Sequence, residues 1–151
     1  MFFFDKRYAL KQARKVFAEQ LKLGVPENPT KSNRKYKYFE KNIHVNVASS
    51  FFYEVCDKHK FSFLFIYHKY KYVNFYIFAK GLNLSDSPNG MRMLKEQYPD
   101  FEFLFTEDET RMSIEKTPVP DIKDVATVVS QLVEKWNTSS LYRVLLELYE
   151  V

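Results

Sequence analysis

Residues 61–81 read FSFLFIYHKYKYVNFYIFAKG, and this stretch decides the fold of the chain. Aromatic and β-branched residues at such density are typical of strands with buried faces. Two strands are predicted, at about 61–67 and 71–80, and they are joined through His68, Lys69 and Tyr70. The sequence therefore places an antiparallel hairpin at the centre of a sheet.

Helical periodicity is found on both sides of this hairpin. A first helix is predicted from Asp5, a suitable N-terminal cap, to Gly24, a suitable C-terminal cap. Another begins after Asp121 and carries a wide apolar stripe that ends at Trp136, and a last helix covers about 140–149. Apolar residues at helical spacing in all three segments predict that each helix packs on the sheet.

The remaining elements are shorter. A helix is predicted over about 91–98, and a second hairpin over 101–106 and 111–116 turns at residues 107–110. Residues 51–59 fit a short helix capped by Ser49 or Ser50, and they also fit a continuation of a preceding strand. The sequence alone does not decide between the helix and the strand.

The order of these elements predicts an α+β fold. We expect a single domain over residues 1–151, with a mainly antiparallel sheet of about five strands. The N-terminal helix and two C-terminal helices pack on that sheet. A chain of 151 residues is long enough to bury a core of this kind without disulfides.

Composition argues against several classes of function. The chain has only three glycines and no P-loop pattern, so we expect no nucleotide cofactor. With one cysteine no intramolecular disulfide forms, and the first residues, Met-Phe-Phe-Phe followed by charged ones, reverse the order of a signal peptide. No apolar run approaches the roughly 18 residues of a membrane span. A cytoplasmic protein without a membrane partner is the resulting expectation.

Catalytic and metal-binding patterns are weak. The only Asp-x-Lys that resembles a nuclease motif is at Asp121, where a helix begins rather than a strand. Cys56 and His59 have half the spacing of a zinc site, and no second cysteine is present. We therefore expect no metal and assign no catalytic residue.

Charge is distributed unevenly along the chain. Residues 1–80 hold 16 Lys or Arg and 6 Asp or Glu, whereas residues 81–151 hold 7 and 13. Basic residues interleaved with tyrosines are the pattern of a surface that neutralises phosphates and stacks on bases. The predicted anion-binding residues are Lys11, Arg14, Lys15, Lys31, Arg34, Lys35, Tyr36, Lys37, Tyr38 and Lys41.

Two simpler interpretations compete with this surface. Lysines on the outer face of a helix are ordinarily just solvated, and lysines on an edge strand at 35–38 can serve only to prevent aggregation. The basic and acidic halves of the chain can also attract each other within one molecule. The sequence alone does not decide between these interpretations and a binding surface.

The leading functional hypothesis is a non-catalytic binding or inhibitory protein. Its basic N-terminal half would engage an anionic partner, either a nucleic acid or an acidic protein surface. An antagonist of a nucleic-acid-handling complex, encoded by a phage or a mobile element, fits this description. Two alternatives are a divergent metal-dependent nuclease using Asp100, Glu102 and Glu115, and a homo-oligomeric structural module in which acidic and basic halves meet.

Overall fold

In the computed structural model, the described residues are 8–9, 11–13, 15–16, 49–56, 61–68 and 71–150. The strands and helices from residue 49 onward follow one another along the chain. They are β1 (Ser49–Cys56), β2 (Phe61–His68), β3 (Tyr72–Lys80), α1 (Pro88–Gln97), β4 (Glu102–Phe105), β5 (Glu109–Pro118), a 3-10 turn (Ile122–Asp124), α2 (Val125–Thr138) and α3 (Leu141–Tyr149).

The described strands form one antiparallel sheet in the order β1-β2-β3-β5-β4. The central hairpin pairs β2 with β3, and its register places Phe65 opposite Phe75. Their rings stack with centroids 4.6 Å apart, so this cross-strand pair fixes the register through packing as well as hydrogen bonds. The hairpin predicted from residues 61–81 is confirmed.

One face of the sheet, which we call the helix face, packs against the helices. It is formed in β3 by Val73, Phe75, Ile77 and Ala79, all of them buried in the core cluster. Trp136 of α2 belongs to the same cluster, and its neighbours include aromatic rings of β2 and α3. Centroid distances from Trp136 are 6.3 Å to Phe61, 5.5 Å to Phe63 and 6.2 Å to Tyr142.

The opposite side of the sheet carries the alternate residues of the same strands. We call it the Arg111 face and define it by Tyr76, Phe78, Glu109, Arg111 and Ser113. All five are buried, with Tyr76 opposite Ser113 and Phe78 opposite Arg111 in the register of β3 and β5. Because side chains alternate along a strand, a single strand supplies both an apolar face and this mixed one.

The described residues of the N-terminal segment, 8–9, 11–13 and 15–16, are helical. Ala9 and Ala13 are buried and belong to the core cluster, and Val16 packs against that cluster. The caps Asp5 and Gly24 lie outside the described residues. The placement of the N-terminal helix on the sheet, the count of about five strands and the single domain therefore stay predictions.

The α+β class and the antiparallel sheet are confirmed. Asp121 acts as a cap, since its carboxylate accepts a hydrogen bond of 3.1 Å from the amide of Lys123. The stripe on α2 is buried from Val125 to Trp136. No helix among the described residues is long and apolar enough to cross a membrane.

Three local predictions need correction. Residues 49–56 form a strand paired with β2 along their length, so the alternative of a short helix over 51–59 is wrong. Pairing with β2, a contact that the local sequence pattern does not show, decides for the strand. Helix α1 begins at Pro88, earlier than predicted, because proline suits the first turn of a helix. Glu109 belongs to β5 and not to the turn.

Candidate functional site

Of the ten predicted anion-binding residues, two are described. Lys11 and Lys15 are helical and exposed. The other eight lie outside the described residues: Arg14, Lys31, Arg34, Lys35, Tyr36, Lys37, Tyr38 and Lys41. That the ten residues form one contiguous surface therefore stays a prediction.

Lys11 and Lys15 lie four positions apart, so they are neighbours on one side of the helical segment. Ala9 and Ala13, on the other side, are 3% and 1% exposed. This is the amphipathic arrangement that the spacing of the alanines predicts. The cationic groups of both lysines face solvent.

Ion pairs between described residues do not involve these two lysines. The pairs are Arg111 with Glu109, at 3.7 Å between Nε and Oε2, and Lys123 with Asp121, at 3.6 Å. Within the described part of the chain, no carboxylate of the acidic half neutralises Lys11 or Lys15. For this pair of lysines the described residues supply no internal partner.

The Arg111 face is the second candidate site. The Arg111 side chain is 10% exposed and the Glu109 side chain 1%. The guanidinium carbon also lies 5.4 Å from the centroid of the Phe78 ring, in cation–π range. A buried charge pair next to an aromatic ring is expensive to desolvate, so its partners have to be held in good geometry.

Tyr76 lies beside this pair on the same face. The Glu115 carboxylate is the negative charge that acts on its hydroxyl. Burial, and after it the negative charge of Glu115, raise the pKa of the Tyr76 hydroxyl above its ordinary value of 10, while Arg111 acts in the opposite direction. The Tyr76 hydroxyl therefore stays protonated and neutral at physiological pH.

A groove of about 250 Å³ opens where this face meets the edge of the sheet. We call it the β4 groove. It is lined by Glu102, Phe103, Leu104, Arg111, Ser113 and Glu115. Two exposed carboxylates and one buried guanidinium therefore surround the same small volume.

The β4 groove bears on the nuclease alternative. Glu102 and Glu115 line it together, whereas Asp100 lines a different cavity, of about 280 Å³, with Tyr98 and Lys135. Among the described residues no group of three His, Cys, Asp or Glu side chains could hold a metal ion. Two of the three acids proposed from sequence are thus brought together, and the third is not.

Sequence reasoning did not find Glu109 and Arg111. In sequence Glu109 ends an acidic run and suits a solvated turn, but it is 0% exposed in the structure. A signal was available, because polar residues alternate along β5 at positions 109, 111, 113 and 115. This alternation indicates a strand with one polar face, and the register with Phe78 then brings Arg111 next to an aromatic ring.

Comparisons of the chain with protein-family models, with curated proteins and with solved structures give no match.

Proposed function

We propose that this is a non-catalytic binding protein that engages an anionic partner through its basic N-terminal half. A nucleic acid is the partner of first choice, and an acidic protein surface is the alternative. The observation that supports the proposal is the outward position of Lys11 and Lys15, which have no ion pair with a described carboxylate.

The spacing of the two lysines suits an extended anion. Four residues of helix correspond to a rise of about 6 Å, so two ammonium groups can contact successive charges of a partner. Lysine contacts with phosphates release counterions, and this release provides most of the non-specific affinity for nucleic acids. The excess of Lys and Arg over Asp and Glu in residues 1–80 also favours binding to an anionic partner.

Two lysines in the acidic second half of the chain provide a matched control for Lys11 and Lys15. Lys123 and Lys135 are also exposed lysines on helical elements, but they lie among the carboxylates of residues 81–150. A charge reversal there changes the net charge of the protein by the same amount as a reversal at Lys11 and Lys15. The comparison therefore separates a local surface from a general effect of net charge.

The test is fluorescence anisotropy of labelled single-stranded DNA and RNA with the wild type and both double variants. We expect Lys11→Glu/Lys15→Glu to weaken binding about tenfold, since two phosphate contacts become repulsive. Lys123→Glu/Lys135→Glu should bind nearly as the wild type does. Equal losses in the two variants would contradict a surface centred on the N-terminal helical residues.

Two further readouts distinguish the alternatives. If an acidic protein is the partner, a polyglutamate probe competes as effectively as the nucleic acid at the same charge concentration. Incubation of the labelled strands with Mg²⁺ tests the nuclease alternative. Cleavage that is abolished by Glu115→Ala and unaffected by Glu96→Ala, at an exposed residue of α1, would replace the non-catalytic proposal with an enzyme.

A further inference from the structure

Strand β4 lies at one end of the sheet order. Among the described strands it pairs with β5 alone. An edge strand of this kind presents a row of N–H and C=O groups to which another strand can pair. Strand addition to an edge is a common way for one protein to bind a segment of another.

The register identifies the backbone groups on this edge. The amide of Thr106 donates a 3.0 Å hydrogen bond to the carbonyl of Glu109, which closes the β4–β5 hairpin. Pairs in an antiparallel ladder alternate between bonded and non-bonded, so Leu104 with Arg111 is the next bonded pair. The N–H and C=O groups of Phe103 and Phe105 consequently point away from β5.

Apart from the shortness of β4, only the charge of Glu102 protects this edge. The sequence of β4 is EFLF, without the lysine or proline that natural edge strands use against pairing. Leu104 is 48% exposed, and it and Tyr8 are the exposed large hydrophobic residues of the described chain. A short, mainly apolar strand whose outward backbone groups pair with no described strand is a surface suited to a partner.

The two sides of the edge differ in chemistry. On one side lies the β4 groove, where Glu102 and Glu115 are exposed carboxylates. On the other side the rings of Phe103 and Phe105 are half-buried and stack with centroids 5.9 Å apart. A strand placed along β4 would direct alternate side chains to the acidic groove and to these two rings.

We propose that the edge of β4 binds an extended segment of a partner protein in which basic residues alternate with aromatic or aliphatic ones. The basic side chains enter the β4 groove and pair with Glu102 and Glu115. The apolar side chains pack beside Phe103 and Phe105, and the backbone bonds to the outward N–H and C=O groups of those residues.

The negative charge around the edge of β4 indicates which class of partner it binds. The exposed Glu107 and Asp108 at the hairpin turn extend the negative surface beyond the groove. A nucleic acid is therefore repelled by this edge, in contrast to the lysines of the N-terminal segment. The site shares no residue with the proposed anion-binding surface and does not depend on it.

The probe is a fluorescein-labelled peptide of alternating lysine and tyrosine, compared with a peptide of alternating glutamate and tyrosine. We expect the full-length protein to bind the first peptide and not the second. Glu102→Gln/Glu115→Gln should weaken binding about fivefold by removing two exposed charge pairs. Glu96→Gln/Glu134→Gln, which removes two exposed charges elsewhere, should leave it unchanged.

A second pair of variants tests the backbone contact. Phe105→Pro removes the outward N–H and the ring, whereas Phe105→Ala removes the ring alone. We expect the proline variant to bind the peptide about tenfold more weakly than the alanine variant, with both keeping the circular dichroism spectrum of the wild type.

Three results would overturn the proposal. They are equal binding of the two peptides, equal effects of the two glutamine pairs, and equal binding by the proline and alanine variants. Self-association of the protein that Phe105→Pro abolishes, without peptide binding by the wild type, would assign the edge to a second copy of the chain instead. The Lys11→Glu/Lys15→Glu variant should bind the lysine peptide normally, so this test is independent of the anion-binding proposal.

Discussion

The two faces of the sheet use the same strands for different purposes. On the helix face, Phe75 and Ile77 are surrounded by apolar residues and by Trp136 of α2. On the Arg111 face, Tyr76 and Phe78 lie with the buried Glu109–Arg111 ion pair and with Ser113. The first face gains free energy mainly from the burial of apolar side chains, whereas the second also has to compensate the desolvation of charges.

This difference separates stability from binding. Substitutions on the helix face remove packed volume and should act on the free energy of unfolding. The Arg111 face adjoins the β4 groove, where charged groups reach the surface. Substitutions there should change electrostatic behaviour and recognition as well as stability.

The largest expected effect is on the helix face. Trp136→Ala removes a fully buried indole that contacts three aromatic rings, so we expect a loss of about 4 kcal/mol in the free energy of unfolding. Gln131→Ala, at an exposed position of the same helix, should change it by less than about 0.5 kcal/mol. Urea denaturation measures both. A loss below about 1 kcal/mol at Trp136 would show that α2 does not form the core described above.

A smaller effect is expected for the buried ion pair. Glu109→Leu leaves the Arg111 guanidinium buried without this carboxylate and should destabilise the protein by about 3 kcal/mol. Replacing both residues, as Glu109→Leu/Arg111→Met, should recover most of that loss because neither charge of this pair is then left buried. Glu107→Leu, in the exposed turn, is the matched control. The single variant Arg111→Met completes the comparison. If the losses of unfolding free energy in Glu109→Leu and Arg111→Met add up to the loss in the double variant, the two residues are not energetically coupled.

The smallest effect on this face is expected for Tyr76→Phe, about 1 kcal/mol at neutral pH from the removal of one buried hydroxyl near Glu115. The pH dependence of the hydroxyl's contribution to stability is more informative. Folding raises the pKa of the hydroxyl above its ordinary value of 10, so its contribution is complete below about pH 10 and is lost as the pH rises further.

Urea denaturation at neutral pH and above pH 10 tests this sign. The wild type should lose more stability than Tyr76→Phe over that interval, because only the wild type has to release a proton that the folded state holds. Other tyrosines and lysines titrate in both proteins and cancel in the difference. Identical losses would mean that the Tyr76 hydroxyl is not buried beside Glu115.

The sequence predicts the central hairpin and the C-terminal helices well, because their signals are local and repeated. Five of the eight residues of β2 are Phe, Tyr or Ile and leave little choice of structure, and Asp121 caps its helix through an amide two residues away. The exposure of Lys11 and Lys15 follows from the 3.6-residue period of the alanines in the same way.

The Arg111 face could not be predicted in the same manner. Its chemistry arises from register between strands that are about 30 residues apart in sequence, such as Phe78 with Arg111. No local pattern shows that Glu109 is buried while Asp108, its neighbour, is exposed. Strand β1 was ambiguous for a related reason, since its pairing with β2 and not its own propensity decides between strand and helix.

The central claim is that the basic N-terminal residues form an anion-binding surface distinct from the acidic half. The salt dependence of single-stranded DNA binding tests it most directly, because the slope of log Kd against log salt counts phosphate contacts. We expect this slope to be smaller by between about one and two in Lys11→Glu/Lys15→Glu and unchanged in Lys123→Glu/Lys135→Glu. Identical slopes in the wild type and in Lys11→Glu/Lys15→Glu would contradict the claim.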